Sequence, residues 1–229
     1  MIANVDVIIP AFNEENAVGK VVNDIPKELV REIIVVNNNS TDETVEKASA
    51  AGATVIDEPL KGYGNACLKG MDYIKNKPTP PEVVVFLDAD YSDYPQEMKL
   101  LLQPINDQNM DMVIGSRALG NREKGAMTPQ QIFGNWLATF LMKLFYGVHY
   151  TDLGPFRAIQ YNSLMALNMK DKTYGWTVEM QLKAAKQKMK TCEVAVNYRN
   201  RIGFSKVSGT IKGTIGAGYK IITTIFKYL

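Results

Sequence analysis

The sequence is poor in the residues that build stapled or metal-knit folds. In 229 residues there are two cysteines, Cys67 and Cys192, and one histidine, His149. Neither cysteine belongs to a CxxC or Cys/His cluster, which excludes a zinc ribbon and gives no sign of an oxidising compartment. Long apolar runs are missing as well. No stretch reaches the roughly 18 uncharged apolar residues of a bilayer span. The opening Met1-Ile2-Ala3-Asn4-Val5-Asp6 lacks the basic and apolar regions of a signal peptide, so a cytoplasmic protein is expected. Charge of one sign is also scarce. With 26 Lys+Arg against 24 Asp+Glu the formal charge is +2, without the basic excess of a nucleic-acid binder.

What is present is ordinary globular composition, 46% hydrophobic and 22% charged, in a chain long enough to bury a large core. The first half alternates strand and helix signals. Val5-Asp6-Val7-Ile8-Ile9 is a β-branched run stopped by Pro10, and Val18, Val21, Val22 and Ile25 then recur at helical spacing. Ile33–Val36, Ala53–Ile56, Val83–Leu87 and Met112–Ile114 read as further strands, with helices between them. Ser40-Thr41-Asp42-Glu43 has the spacing of a capping box. This order predicts an α/β fold with a mostly parallel central sheet covered on both faces. Residues 118–131 predict a mobile loop, 132–146 an apolar helix, 156–159 a strand and 178–189 a helix. In the tail, Ile211, Ile215, Tyr219, Ile222, Ile225, Phe226 and Leu229 form a helical stripe flanked by Lys212, Lys220 and Lys227. It either docks on its own domain or lies in a membrane interface. The expected division is 1–208 for the α/β domain and 209–229 for an amphipathic helix.

Asp88-Ala89-Asp90 follows the strongest strand, where ligands of open α/β sheets bind. Two carboxylates around one turn can share a hard divalent cation, Mg²⁺ or Mn²⁺, whose other positions go to water and phosphate. Three more polar segments end strands or precede a helix: Pro10-Ala11-Phe12-Asn13-Glu14-Glu15, Asn37-Asn38-Asn39-Ser40-Thr41-Asp42 and Lys61-Gly62-Tyr63-Gly64-Asn65-Ala66.

Together the motifs VIIPAFNEE, EIIVVNNNSTDET, KGYGNACLKG, VVVFLDAD, DMVIGSR and DLGPFRAI resemble the family 2 glycosyltransferases of the GT-A fold, over residues 5–160. Within that family the chain looks most like the dolichyl- or polyprenyl-phosphate mannose or glucose synthase branch. The resemblance implies an inverting hexosyltransferase that uses a UDP- or GDP-sugar and Mg²⁺ or Mn²⁺, with polyprenyl phosphate or a glycan as acceptor. Its expected setting is the cytoplasm, with peripheral membrane contact and a product of the cell-envelope glycan kind. Pro10, Ala11, Phe12 and Glu14 would then shape the nucleoside floor. Asp88 and Ala89 would sit at the donor, with Asp88 binding ribose or supporting the metal that Asp90 ligates. Lys61 would face phosphate or base. Arg117 and Arg157 would hold anionic oxygens, a task suited to the planar guanidinium fork.

Asn37 and Asn38 stand where many family members carry paired aspartates. An amide there can accept the imide N–H of uracil or bond guanine, so base identity stays open. In Tyr174-Gly175-Trp176-Thr177-Val178-Glu179, the resemblance makes Glu179 a base for the acceptor hydroxyl. A first-turn carboxylate answering the helix dipole is the plainer alternative. Trp176 would stack on sugar or acceptor, or simply pack in the core. Ser205 and Lys206 would meet an acceptor phosphate. A non-catalytic nucleotide-sugar-binding protein is the alternative from another class.

Overall fold

The computed structural model describes residues 4–203 and 211–229. In chain order the elements are β1 (Val5–Ala11), α1 (Val18–Asp24), β2 (Glu32–Asn37), α2 (Thr44–Ala50), β3 (Thr54–Asp57), α3 (Tyr63–Lys75), β4 (Val83–Phe86) and α4 (Met98–Gln108). They continue as β5 (Met112–Ser116), α5 (Pro129–Tyr146), β6 (Arg157–Gln160), α6 (Tyr161–Leu167), α7 (Trp176–Lys186), β7 (Thr191–Ala195) and α8 (Ile211–Lys227). The seven strands form one sheet in the order β3-β2-β1-β4-β6-β5-β7. β6 alone runs antiparallel, to both β4 and β5. This is the GT-A architecture that the resemblance implies.

Both faces of the sheet are covered, as the continuous Val/Ile runs require. Val7, Ile9, Val35 and Val85 face one core, closed by α1 and α4 through Val18, Val22, Met98 and Leu101. Ile8, Ile34, Val84 and Phe86 face the other, closed by α3, α5, α6, α7 and α8 through Ile74, Met142, Leu164, Met180 and Ile225. At the foot of β1, Asp6 is wholly buried and held by Arg31 and Lys77, so the charge inside the sheet is paired.

Two local expectations are corrected. The segment Ser40–Glu43 caps nothing as a box: α2 starts at Thr44, and Ser40 Oγ accepts the Asn13 N–H at 3.0 Å. These side chains tie the end of β2 to the end of β1 instead. The capping box lies at α5, where Thr128 and Gln131 bond each other's backbone and Pro129 opens the helix. The sheet also gains β7, an edge strand of mixed Thr191-Cys192-Glu193 composition that carries no buried-strand signal. The tail helix does dock on its own domain. Ile225 is buried, Tyr146 Oη donates to the Ile225 carbonyl at 2.5 Å, and Lys220 pairs with Asp171 at 2.9 Å.

Candidate active site

The crevice opens where β1 and β4 part. Their register covers only Val5–Ile8 against Val83–Phe86, while β1 stays paired with β2 as far as Ala11. Pro10 fits there because it lacks the N–H that a second neighbour would need. Beyond that point Phe12 leaves β1 on one side, and Asp88, Ala89 and Asp90 leave β4 on the other. The Lys61 ammonium lies 5.1 Å from the Phe12 ring centroid, so two residues expected at the nucleoside do meet. The Glu14 N–H donates to Thr44 Oγ1 at 2.8 Å, fixing this floor against the end of β2.

The carboxylates after β4 are held unequally. Asp90 Oδ1 accepts the Ser92 N–H at 2.9 Å and Ser92 Oγ at 2.5 Å, and Oδ2 faces Arg201 at 2.8 Å. Tyr91 adopts φ 65°, a left-handed turn that brings Ser92 back onto Asp90. That turn is clamped by Arg199, stacked 3.4 Å from the Tyr91 ring centroid and 4.3 Å from that of Tyr94. Asp88 Oδ1 is buried without a partner, and burial together with the Asp90 charge pushes its pKa up to about 7. Asp93, which the sequence reading missed, is buried with neither oxygen partnered; burial and then Asp88 raise its pKa well above the ordinary value. The D-x-D-x-x-D spacing was the available signal. Three acids so close are balanced by Arg117 and Arg201. Burial disfavours both cations, but Asp152, Tyr198 and Asp93 together raise Arg117, and Asp90, Tyr198 and Asp88 together raise Arg201, above the ordinary value.

Arg117 is buried and forked on Asp152 by two 2.8 Å bonds, 5.0 Å from the Tyr198 ring centroid. Other expected contacts are not made. Arg157 is fully buried and donates to the carbonyls of Leu153, Gly154 and Thr177, and burial lowers its pKa to about 10. It ties β6 to α7 and meets no open space. Trp176 is 1% exposed and packs edge-on to Phe86 at 5.9 Å, which makes it core rather than a sugar platform. Glu179 is 0% exposed. Its carboxylate accepts the N–H groups of Lys170 (3.0 Å) and Asp171 (2.6 Å) and the Tyr228 hydroxyl (2.6 Å), and pairs with Lys183 at 2.7 Å. Burial disfavours this charge, yet those partners hold its pKa below the ordinary value, the wrong direction for a base. Ser205 and Lys206 lie outside the described residues.

Asn37 and Asn38 are engaged rather than presented to a base. Asn38 Nδ2 donates to the carbonyls of Glu58 (3.0 Å) and Leu60 (2.7 Å), and its Oδ1 accepts the Gly62 N–H at 2.8 Å. Asn37 donates to Asp57 at 2.8 Å and accepts the Ser40 N–H at 2.9 Å. The glycines of the Lys61–Ala66 motif serve chain packing. A Cβ on Gly62, at φ +142°, would stand 2.2 Å from the Lys172 carbonyl oxygen, and one on Gly64 2.1 Å from that of Asp171.

A GT-A sheet with a carboxylate cluster at its switch point defines a nucleotide-sugar-dependent transferase. The chain matches the model of Glycosyl transferase family 2 over residues 6–167 and belongs to that family. An uncharacterised glycosyltransferase of Mycobacterium bovis is 32% identical over 214 residues, 92% of this chain and 93% of its own. A UDP-N-acetylglucosamine–dolichyl-phosphate N-acetylglucosaminyltransferase of Methanococcus voltae is 28% identical over 210 residues, 82% of this chain and 83% of its own. A crystal structure of glucosyl-3-phosphoglycerate synthase from Mycobacterium tuberculosis, in complex with Mn²⁺, UDP and phosphoglyceric acid, shares the fold. Its TM-score is 0.79 at 21% identity, over 99% of this chain and 78% of that one.

The fold family implies a divalent ion, and the donor set here fits one. The unpartnered Asp88 oxygen and the Asp90 carboxylate are hard oxygen ligands at the crevice. Among the described residues no three acidic, histidine or cysteine side chains form a ready-made cage. The remaining ligands would therefore come from water and the donor diphosphate.

Proposed function

We propose that the protein is an inverting hexosyltransferase that carries a sugar from a UDP- or GDP-linked donor to a polyprenyl phosphate at the cytoplasmic face of a membrane. The observation that carries the reading is the carboxylate cluster of Asp88, Asp90 and Asp93, in which Asp88 Oδ1 and both Asp93 oxygens are buried without partners, beside Arg117 and Arg201 at the open end of the sheet. Phe12 and Lys61 would receive the nucleoside, and Asp88 and Asp90 would hold Mg²⁺ or Mn²⁺. When bound, such an ion offsets charge on the diphosphate. Arg117 is fixed by Asp152, so its guanidinium is set without reorganisation beside the position where leaving-group charge develops.

The state of Glu179 supports a phosphate acceptor. A hydroxyl acceptor needs a base. A phosphate monoester already presents an anionic oxygen near neutral pH, its second pKa being about 6. Glu179 has its oxygens committed to Lys170, Asp171, Tyr228 and Lys183, which disfavours the alternative of a glycan hydroxyl with Glu179 as base. The dolichyl-phosphate acceptor in the name of the Methanococcus voltae relative agrees with this choice. The test is a thermal-shift panel of UDP- and GDP-sugars with and without Mn²⁺, followed by transfer of the labelled hexose from each hit to polyprenyl phosphate and to glycans. A donor stabilises the folded state by mass action. Transfer to a glycan alone would reverse the acceptor assignment, and stabilisation without any transfer would favour a binding protein.

A further inference from the structure

α5 carries large apolar side chains on its outer side as well as on its core side. Ala138, Thr139 and Met142 face the core, whereas Phe133, Trp136, Phe140 and Leu144 point outward, with Trp136 56% and Leu144 62% exposed. Trp136 stacks on Phe140 with centroids 5.7 Å apart and lies 5.8 Å from Phe133, so these rings are ordered by one another outside the core. α8 lies alongside. Phe145 meets Phe226 edge-on at 5.4 Å, and Ile215, Tyr219, Phe226 and Leu229 all remain exposed. The tail therefore packs on its domain and still adds its outer stripe to that of α5. Exposed apolar area of this kind on two adjoining helices marks an interaction surface.

Charge selects the occupant. No Asp or Glu stands between Pro129 and Thr151 or between Ile211 and Leu229, while the latter stretch has three Lys. Lys143 and Lys227 are exposed on the two helices themselves. A second copy in a two-fold contact would set this acid-free face against itself. An anionic bilayer offers negative headgroups over an apolar interior, and Trp and Tyr rings favour that boundary. No described helix is long and apolar enough to cross a membrane, so such a contact is interfacial.

We propose that the outer faces of α5 and α8 form one docking surface for anionic lipid, with Phe133, Trp136 and Phe140 entering the headgroup–acyl boundary and Lys143 and Lys227 at its margin. The surface deepens the lipid-acceptor reading and rests on it for its purpose, but the two fail separately. The experiment is flotation of the full chain with vesicles of phosphatidylglycerol and phosphatidylcholine, against phosphatidylcholine alone, with tryptophan emission recorded. Trp176 is already buried, so a blue shift on vesicle binding reports Trp136. The expected result is flotation with the anionic vesicles, a blue shift, and release in high salt. A Phe133→Ser/Trp136→Ser/Phe140→Ser variant, altered only at exposed positions, should melt close to the parent and lose about a hundredfold or more in vesicle affinity. No flotation at low salt overturns the surface. So does a concentration-dependent blue shift without vesicles, accompanied by dimer sedimentation. Failed flotation with intact transfer to a short-chain, water-soluble polyprenyl phosphate overturns the surface and leaves the acceptor reading standing. Flotation without transfer to any polyprenyl phosphate does the reverse.

Discussion

One amide group decides the course of the chain after β3. Asn38 donates twice and accepts once, to Glu58, Leu60 and Gly62, which an aspartate cannot do because it has no donor. Asn38→Asp keeps the size and turns two attractions into contacts between a carboxylate and carbonyl oxygens. It should destabilise the fold by about 1–3 kcal/mol in chemical denaturation; an unchanged midpoint would return Asn38 to the role of a base reader. The departure from paired aspartates, read from the sequence as a matter of base choice, is thus a matter of loop anchoring. Asp90 presents the opposite case. Asp90→Asn keeps an oxygen for the Ser92 N–H, so the turn through Tyr91 survives, but the charge facing Arg201 and any divalent ion is lost. Transfer measured with saturating Mn²⁺ should fall by about a hundredfold or more while the melting temperature changes little. Normal turnover would remove Asp90 from the metal site.

At the scale of elements, most of the architecture was legible because it is written in hydrophobic period. The Val/Ile runs of β1, β2 and β4 are buried on both faces, and nothing in their sequence competes with that reading. β7 was not legible, since an edge strand of intermediate burial shows no continuous apolar run. The role of Glu179 was hidden for another reason. Its partners come from the 170–171 turn and from Tyr228, a residue 49 positions on, and no local pattern encodes that contact. Glu179 therefore fastens α8 to α7, and its ionisation should be felt as stability. Its folded pKa lies below the ordinary value, so the contribution is fully present above about pH 4.5 and is lost as pH falls through the lower folded value. Acid titration of unfolding should show Glu179→Gln less stable than the parent near neutral pH, with the gap closing below about pH 4.5. A gap that stays constant with pH would mean that the carboxylate charge does no such fastening. Transfer activity separates the same roles: near-normal turnover of the folded variant fits an anchor, and abolished turnover fits a base.

On the scale of the whole molecule, the crevice is closed by chain from two distant places. Residues 118–131 show turn chemistry in sequence, and within them 121–124 pair with residues 197–200 in the fold. Tyr198 donates its N–H to the Asn121 carbonyl at 2.9 Å and accepts the Glu123 N–H at 2.9 Å. Asn200 binds the Glu123 carboxylate through both its backbone N–H (2.8 Å) and its side chain (3.0 Å). The second strip continues into the site, where Arg201 faces Asp90 and the Ile202 N–H donates to the Asp90 carbonyl at 3.0 Å. Two basic residues before the tail, Arg199 and Arg201, thus belong to the donor end of the sheet. A change of charge at Asp90 is expected to reach Arg201 first and, through residues 197–200, the loop at 121–123. Hydrogen exchange tests this linkage. Adding nucleotide sugar with Mn²⁺ should slow exchange in 118–128 and in 197–203 together, since backbone and side-chain hydrogen bonds link the two strips. Glu123→Ala, which removes the bonds to Asn200 and leaves Asp90 and Arg201 in place, should uncouple the two: 197–203 would still respond to donor, and 118–128 would respond far less. Protection confined to one strip in the parent protein would mean that the two segments move independently, and equal exchange with and without donor would exclude a lid in either.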